Sequence, residues 1–155
     1  MRPAKNAMSH SYSQCFVHLV WSTRRRKNII PQQLLVPLWE YFIGVGYNKD
    51  TRVVAAGGMP NHVHLAIELM PTTRLSDAIS AFKANSSRWL KEQGVRQFVW
   101  QRGYGAFSVS VGNLEQVKRY IQNQAKHHKK ITYEEEFLDM LRRARVEFDP
   151  NDLFD

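Results

Sequence analysis

The stretch TRVVAAGGMPNHVHLAIELM, residues 51–70, decides the fold that this sequence predicts. Its two ends are rich in β-branched and other apolar residues, which favours extended strands. The residues between them, Met59-Pro60-Asn61, are turn formers. We therefore predict two strands, TRVVAAGGM and NHVHLAIELM, joined by a tight turn.

One strand and one helix are predicted before this hairpin. Residues 14–23 are rich in β-branched and aromatic residues, and apolar residues recur at helical spacing from Pro31 to Val45. After the hairpin, the sequence predicts a long amphipathic helix over 72–94 and β structure over 97–111.

Two more helices are predicted toward the C-terminus. Asn113 and Gln116 have the spacing of a capping box and open a helix over 113–130, and a final helix follows over 132–148. The order strand, helix, strand, strand, helix, strand is the split βαβ pattern. We therefore predict an α+β, ferredoxin-like fold, in which an antiparallel sheet carries helices on one face and C-terminal helices are added.

Length and composition suit one domain with a substantial core, since the chain has 155 residues and is 43% hydrophobic. We predict a single domain over 1–155, with a core over about 14–130 and an acidic C-terminal helix and tail over 131–155. No apolar run approaches the roughly 18 residues that a membrane span needs, and the N-terminus has no recognisable export signal. Cys15 is the only cysteine, which fits the cytoplasmic location that we expect.

The charge is unevenly distributed along the chain. The 22 basic and 14 acidic residues give a formal net charge of +8, but eight of the acids and only three of the basic residues follow residue 130. The first 130 residues therefore carry a net charge of +13. Such a basic body suits binding to the phosphate backbone of a nucleic acid. The acidic tail is either a solvated face or a segment that packs onto this body.

His62 and His64 stand two residues apart on the predicted third strand. Because side chains alternate faces along a strand, both imidazoles point the same way, about 7 Å apart at the level of their Cα atoms. Imidazole binds several divalent metals, so the two rings can converge on one ion. The alternative is a pair of polar residues on a solvated strand face, and a metal site needs a third ligand from elsewhere.

A candidate for that ligand lies on the helix after Asn113. Tyr120 and Gln124 are four residues apart and share one helical face. A phenol can attack phosphorus and form a phosphotyrosine, provided that a metal or cation neutralises the developing charge. The His pair with the amide oxygen of Gln124 is a reasonable ligand set for Mg²⁺ or Mn²⁺. The alternative for Tyr120 is a border residue with a buried ring and a solvated hydroxyl.

Four segments of the chain carry a resemblance to a known family. They are, in order, PNHVHLAIE, SSRWL, WQRGYGAFSVS and VKRYIQNQAKHH. HVH matches the HUH motif, and YIQNQ is similar to a tyrosine helix. Together they resemble the single-tyrosine HUH transposases of small bacterial insertion sequences, and the resemblance covers roughly residues 14–130.

The resemblance implies an enzyme, a DNA transposase that cleaves and rejoins single-stranded DNA with Mg²⁺ or Mn²⁺ as cofactor. It implies that His62, His64 and Gln124 bind the metal. Tyr120 would attack a DNA phosphate and leave a 5′-phosphotyrosine and a free 3′-hydroxyl. The implied partners are single-stranded DNA with hairpins and a second copy of the chain, whose tyrosine helix can serve the first copy's His pair.

Six basic residues are candidates for contact with the DNA. They are Arg24, Arg25, Arg26 and Lys27 in the loop after the first strand, and Lys83 and Arg88 on the long helix. The alternative is that these cations are solvated. His127 and His128 are interpreted as polar residues at a helix end, and neither His10 nor His18 is supported as a ligand.

Two other functions stay open beside the leading hypothesis of a metal-dependent transposase. A non-catalytic nucleic-acid-binding module on the same fold would explain the charge and the sheet. It would not explain why the His pair, Tyr120 and Gln124 occur together. A domesticated transposase that acts on repeated palindromes would use the same chemistry as a mobile one.

Overall fold

The computed structural model describes residues 10–154. Within them, the strands are β1 (Cys15–Ser22), β2 (Thr51–Met59), β3 (His62–Leu69) and β4 (Gly105–Val109). The α-helices are α1 (Leu35–Asn48), α2 (Leu75–Glu92), α3 (Leu114–Gln122), α4 (Gln124–His127) and α5 (Tyr133–Arg143). No helix in this described range has both the length and the apolar character that a membrane crossing requires.

The strands form one antiparallel sheet in the order β2-β3-β1-β4. This is the order that a split βαβ chain produces, and the predicted α+β class is confirmed. The predicted hairpin is β2 and β3, with Met59 opposite His62. β3 is an inner strand, and its other neighbour β1 places Ser22 opposite His62 and Val20 opposite His64.

Helices cover both faces of this sheet. Odd-numbered residues of β1 and β3, such as Trp21 and Val63, pack in the core formed with α1 and α2. Even-numbered residues face the C-terminal helices, since Val20 packs against α5 and Ala66 packs against α3. β3 is therefore buried on both sides from its first residue, and polar side chains on its even face must find partners inside the protein.

The predicted helix over 113–130 is wrong as a single element. It is interrupted at Asn123, whose φ of −103° and ψ of 24° end α3, and Gln124 opens the short α4. The predicted capping box at its start is also absent, because Asn113 has helical dihedral angles and its side chain makes no capping hydrogen bond. A 3₁₀ turn over Val111–Asn113 leads directly into α3 and replaces the extended N-cap conformation.

Two other predicted boundaries also differ. The β structure expected over 97–111 is reduced to β4, and the backbone carbonyls of residues 101–103 instead accept hydrogen bonds from the Lys83 ammonium. Trp100 contributes only an isolated bridge to Thr23. The final helix ends at Arg143 rather than residue 148, and Arg145 follows with a left-handed φ of 55°.

Gly57 marks the closest approach of α3 to the sheet. A Cβ atom at this position would overlap the Ile121 carbonyl oxygen and lie 2.9 Å from its carbon. We expect Gly57→Ala to lower the free energy of unfolding by about 1–3 kcal/mol, because the backbone of α3 must move away. Urea denaturation measures this loss. The control is Gly44→Ala on α1, where no atom lies within 4 Å and a gain of about 0.5–1 kcal/mol is expected. Equal effects of the two substitutions would contradict this close packing.

Candidate active site

The two histidines of β3 are fully buried and face the layer of C-terminal helices. Their ring centroids are 5.1 Å apart. The Nδ1 atom of each ring is held from behind: His62 Nδ1 lies 2.7 Å from Asn61 Oδ1, and His64 Nδ1 lies 2.8 Å from His18 Nε2. Both Nε2 atoms are thereby directed to the space between the sheet and the helices.

The structure brings both predicted residues of the tyrosine helix to this space. Gln124 is 1% exposed, and its Oε1 atom lies 3.0 Å from His62 Nε2. Tyr120 is half-buried, and its ring centroid lies 5.8 Å from that of His64. The break at Asn123 lies between these two residues, yet both side chains point into the same space. Four predicted site residues are therefore adjacent within a single chain.

The helix α5 contributes a carboxylate that the sequence analysis did not single out. Glu136 is 2% exposed, and its Oε1 atom accepts a hydrogen bond of 2.9 Å from His64 Nε2. Its Oε2 atom accepts a hydrogen bond from the Tyr120 hydroxyl. The same carboxylate lies 3.2 Å from the Nε2 atoms of both His127 and His128. Glu136 therefore links the His pair to the tyrosine.

The interpretation of His128 as a polar residue at a helix end is incomplete. Its Nε2 atom lies 2.9 Å from Gln124 Oε1 and 3.2 Å from Glu136 Oε1. His127 lies farther out and is 3.3 Å from the Tyr120 hydroxyl through its Nε2 atom. The sequence could not direct His128 inward, because the break before α4 changes the direction in which residues after Asn123 project.

Burial sets the protonation states of the site. Burial, followed by the neighbouring charge of His64, lowers the pKa of His62 to about 3, and the same causes lower the pKa of His18 to about 3. Both rings are therefore neutral at physiological pH. Burial would raise the pKa of Glu136, but hydrogen bonds from His128 and His64 hold it well below its usual range, so this carboxylate is ionised.

The pKa of Tyr120 is displaced in the opposite direction. Burial and the adjacent carboxylate of Glu136 raise it above the usual value of a phenol. The hydroxyl is therefore protonated across physiological pH, and it becomes a nucleophile only if positive charge enters the site.

The donor atoms fit a divalent cation. His62, His64, His128 and Glu136 each offer one ligand atom, and these four atoms lie within 4.8 Å of one another. Ligands of one ion lie about 3–4 Å apart when each is roughly 2.1 Å from the metal, so a small contraction would complete such a site. Imidazole nitrogens and one carboxylate are a common donor set for divalent transition metals. This cluster could hold a metal ion, and Gln124 Oε1 lies at its edge.

A pocket of about 420 Å³ lies beside this cluster. Its lining includes Asn61, His128, Lys129 and Lys130. The lining also includes Glu134 and Glu135, so basic and acidic side chains both border the pocket.

The six basic candidates occupy different places. Arg24 and Arg25 are exposed in a 3₁₀ turn after β1, and Lys27 is exposed at its end. Arg26 instead pairs with Glu134 of α5 at 2.6 Å and lies 4.7 Å above the Phe154 ring. The acidic C-terminal segment therefore packs onto the basic body.

The two basic candidates on α2 are not brought to the site. The ammonium of Lys83 donates hydrogen bonds to backbone carbonyls of the loop before β4, including one of 2.9 Å to Gln101. Arg88 is exposed and donates to Asn85 at 2.8 Å. Both residues belong to the helical layer on the face of the sheet opposite the His pair.

Besides His128, the site residues that sequence reasoning missed are His18 and Glu136. A signal existed for Glu136: the buried residues of α5 are Tyr133, Glu136, Phe137 and Leu141, a spacing that forms one helical stripe. An acid within such a stripe must find buried partners. His18 gave a weaker signal, since it shares the even-numbered face of β1 with Val20 but has no motif around it.

The ferredoxin-like sheet carries a buried His pair beside a half-buried tyrosine, and comparison with known proteins identifies the class to which this chain belongs. The model of the family described as "Transposase IS200 like" (Y1_Tnp) matches residues 11–124, and the chain belongs to this family. The resemblance inferred from the four sequence segments is thus confirmed. The match ends at Gln124, so α5 and Glu136 lie beyond it.

Individual relatives agree with this assignment. The ISDra2 transposase TnpA of Deinococcus radiodurans is 25% identical over 114 residues, which cover 69% of this chain and 81% of that protein. The transposase of insertion sequence element IS200 of Salmonella typhimurium is 24% identical over 132 residues, which cover 81% and 86% of the two chains.

Solved structures share the fold. The crystal structure of a proposed transposase of Deinococcus radiodurans superposes with a TM-score of 0.62 at 22% identity and covers 80% of this chain and 98% of that one. The structure of a REP-associated tyrosine transposase bound to a REP hairpin has a TM-score of 0.52 at 15% identity, with coverage of 76% and 70%.

Proposed function

We propose that this transposase is a metal-dependent enzyme that cleaves and rejoins single-stranded DNA at the hairpin-bearing ends of an insertion sequence, in the cytoplasm. Tyr120 is its nucleophile. One observation carries the proposal: the Tyr120 hydroxyl hydrogen-bonds to Glu136, the same carboxylate that accepts from His64. A candidate nucleophile and a set of potential metal ligands therefore share one site within one chain.

The proposed reaction exchanges one phosphodiester bond for another. The Tyr120 oxygen forms a bond to the phosphorus, and the bond from the phosphorus to the 3′ oxygen breaks. The phenolic proton is released to solvent, and the departing 3′ oxygen takes up a proton to become a free hydroxyl. The phosphorus stays attached to Tyr120 as a 5′-phosphotyrosine, so a 3′-hydroxyl can later reverse the step without ATP.

His62, His64 and Gln124 are the residues that we assign to hold Mg²⁺ or Mn²⁺. The metal would polarise the phosphate and neutralise charge that develops on its oxygens. The chain's own contribution is to present neutral imidazole nitrogens, since burial lowers the pKa of His62 to about 3. His18 and Asn61 orient the two rings from behind, as partners of metal-bound histidines commonly do.

The substrate proposal rests on charge and on a relative. Arg24, Arg25 and Lys27 form an exposed basic turn, which suits contact with hairpin phosphates. The REP-associated relative was solved with a hairpin bound, which supports a folded single strand as the ligand here.

The same chemistry would serve a domesticated enzyme that acts on repeated palindromes. A homodimer, as the family resemblance implies, is part of the proposal, although each chain already brings Tyr120 beside its own His64.

Chelation tests the metal requirement. We expect that EDTA will reduce the covalent adduct between the protein and a labelled single-stranded hairpin to background, because the phosphate loses the cation that polarises it. Added Mn²⁺ or Mg²⁺ should restore the adduct, which is measured on a denaturing gel. Binding of the hairpin in a native gel is the control and should survive EDTA. If adduct formation is unaffected by EDTA, the assignment of His62, His64 and Gln124 as metal ligands is wrong.

A further inference from the structure

Glu136 is a buried carboxylate on the apolar stripe of α5. It is 2% exposed, and its neighbours on the stripe, Tyr133 and Phe137, pack in the core formed with Val20. Placing an ionised carboxylate in such an environment costs several kcal/mol unless hydrogen bonds compensate it. The hydrogen-bonding partners of the carboxylate are residues of the active site, and Tyr133 one turn earlier packs on the His62 ring, with the centroids 4.7 Å apart.

The two oxygens of Glu136 face different groups. Oε1 lies 2.9 Å from His64 Nε2, 3.2 Å from His128 Nε2 and 3.5 Å from His62 Nε2. Oε2 accepts from the Tyr120 hydroxyl and lies 3.2 Å from His127 Nε2. One oxygen is therefore among the metal-binding nitrogens, and the other contacts the nucleophile.

We propose that Glu136 is a further catalytic residue of this enzyme, with a separate task for each oxygen. Oε1 joins the ligands already assigned, His62, His64 and Gln124, in holding the divalent cation, and His128 Nε2 belongs to the same cluster. Oε2 accepts the hydrogen bond of the Tyr120 hydroxyl and holds the nucleophilic oxygen next to the cluster that would bind the cation. The proposal rests on the proposed function, and it makes α5 part of the active site although the helix lies beyond the family match.

The alternative role for the same contacts is inhibitory: Glu136 would act as a plug, a side chain that blocks the active site until DNA binds. If Glu136 only covered Tyr120 and the His pair in a resting state, it would compete with the DNA phosphate for both. Its removal would then accelerate adduct formation. A catalytic Glu136 predicts the opposite sign, because Tyr120 would lose the acceptor that orients it and the cation would lose its anionic ligand.

The experiment compares Glu136→Gln with the unchanged protein in two measurements. Titration calorimetry with Mn²⁺ and no DNA should show an affinity lowered by at least about tenfold, because a neutral amide replaces the carboxylate ligand. The single-turnover rate of adduct formation at saturating Mn²⁺ should fall by about 10- to 100-fold, because the nucleophile is less well positioned. Asp139→Asn, an equal change of charge at an exposed position of α5, should leave both values unchanged.

Each of the other outcomes contradicts a specific part of the proposal. A faster adduct in Glu136→Gln overturns the proposal in favour of a plug, and an unchanged Mn²⁺ affinity removes the ligand role of Oε1. Lower affinity with an unchanged rate removes the role of Oε2. If Glu136→Gln does not fold, Glu136→Asp replaces it: the shorter carboxylate cannot reach both groups, so one of the two values should still fall. If the unchanged protein binds Mn²⁺ through Glu136 but forms no adduct, the proposed function fails while the ligand role stands.

Discussion

Tyr120→Phe is expected to eliminate the covalent protein–DNA adduct while hairpin binding is retained. The substitution removes only the hydroxyl, whose loss leaves no atom at this position that can attack phosphorus. Loss of a protein nucleophile costs on the order of 10⁶-fold in rate, which places the adduct below detection. The ring still packs against His18 and His64, so the fold should persist. A denaturing gel with labelled single-stranded DNA measures the adduct, and a native gel measures binding.

The matched control is Tyr47→Phe, which removes a hydroxyl from an exposed tyrosine of α1. It should behave as the unchanged protein. An adduct that persists in Tyr120→Phe would show that another residue is the nucleophile. If the unchanged protein binds hairpins but forms no adduct under any metal condition, the non-catalytic binding module becomes the better description.

His64→Gln is expected to lower Mn²⁺ affinity by more than about 100-fold. Loss of a residue that only hydrogen-bonds to a metal ligand typically lowers metal affinity by about 10- to 100-fold, and loss of a ligand itself should cost more. The substitution removes a buried imidazole from the centre of the ligand cluster. Adduct formation should fall to background at Mn²⁺ concentrations that saturate the unchanged protein, with partial recovery at higher concentrations. Recovery of this kind separates the loss of a ligand from the loss of the nucleophile, which no metal can restore. His10→Gln, an exposed histidine outside the cluster, is the control.

The two variants also test whether the site belongs to one chain. Mixing His64→Gln with Tyr120→Phe creates an intact site only if the tyrosine of one subunit serves the His pair of another. Because Tyr120 and His64 of the same chain are adjacent, we expect no recovery of the adduct in the mixture. Recovery would mean that the tyrosine helix changes partners during the reaction. Mn²⁺ affinity that is unchanged in His64→Gln would contradict the metal assignment itself.

Local patterns predicted the central part of the molecule well. Alternation along 51–70 placed His62 and His64 on one face, and the structure has both side chains on the even-numbered face of β3. Helical spacing placed Tyr120 and Gln124 together, and they do meet the His pair. The prediction failed where the backbone left regular periodicity: the break at Asn123 redirects His128, and residues 101–103 before β4 bond to the Lys83 ammonium rather than forming a strand.

Sequence alone determined the order of the strands, the family and two halves of a site, because strand and helix periods are local properties of the chain. It could not determine that the second face of the sheet is covered, or by what. That depended on the packing of α5, which brings Glu136 to His64 across 72 positions of sequence. A carboxylate loses its water only when distant elements pack around it. The free energy of desolvation and the hydrogen bonds that offset it therefore both depend on tertiary structure. The sequence therefore predicted the His pair and the tyrosine helix of the site. Only the tertiary structure showed that Glu136 links the candidate metal ligands to the candidate nucleophile.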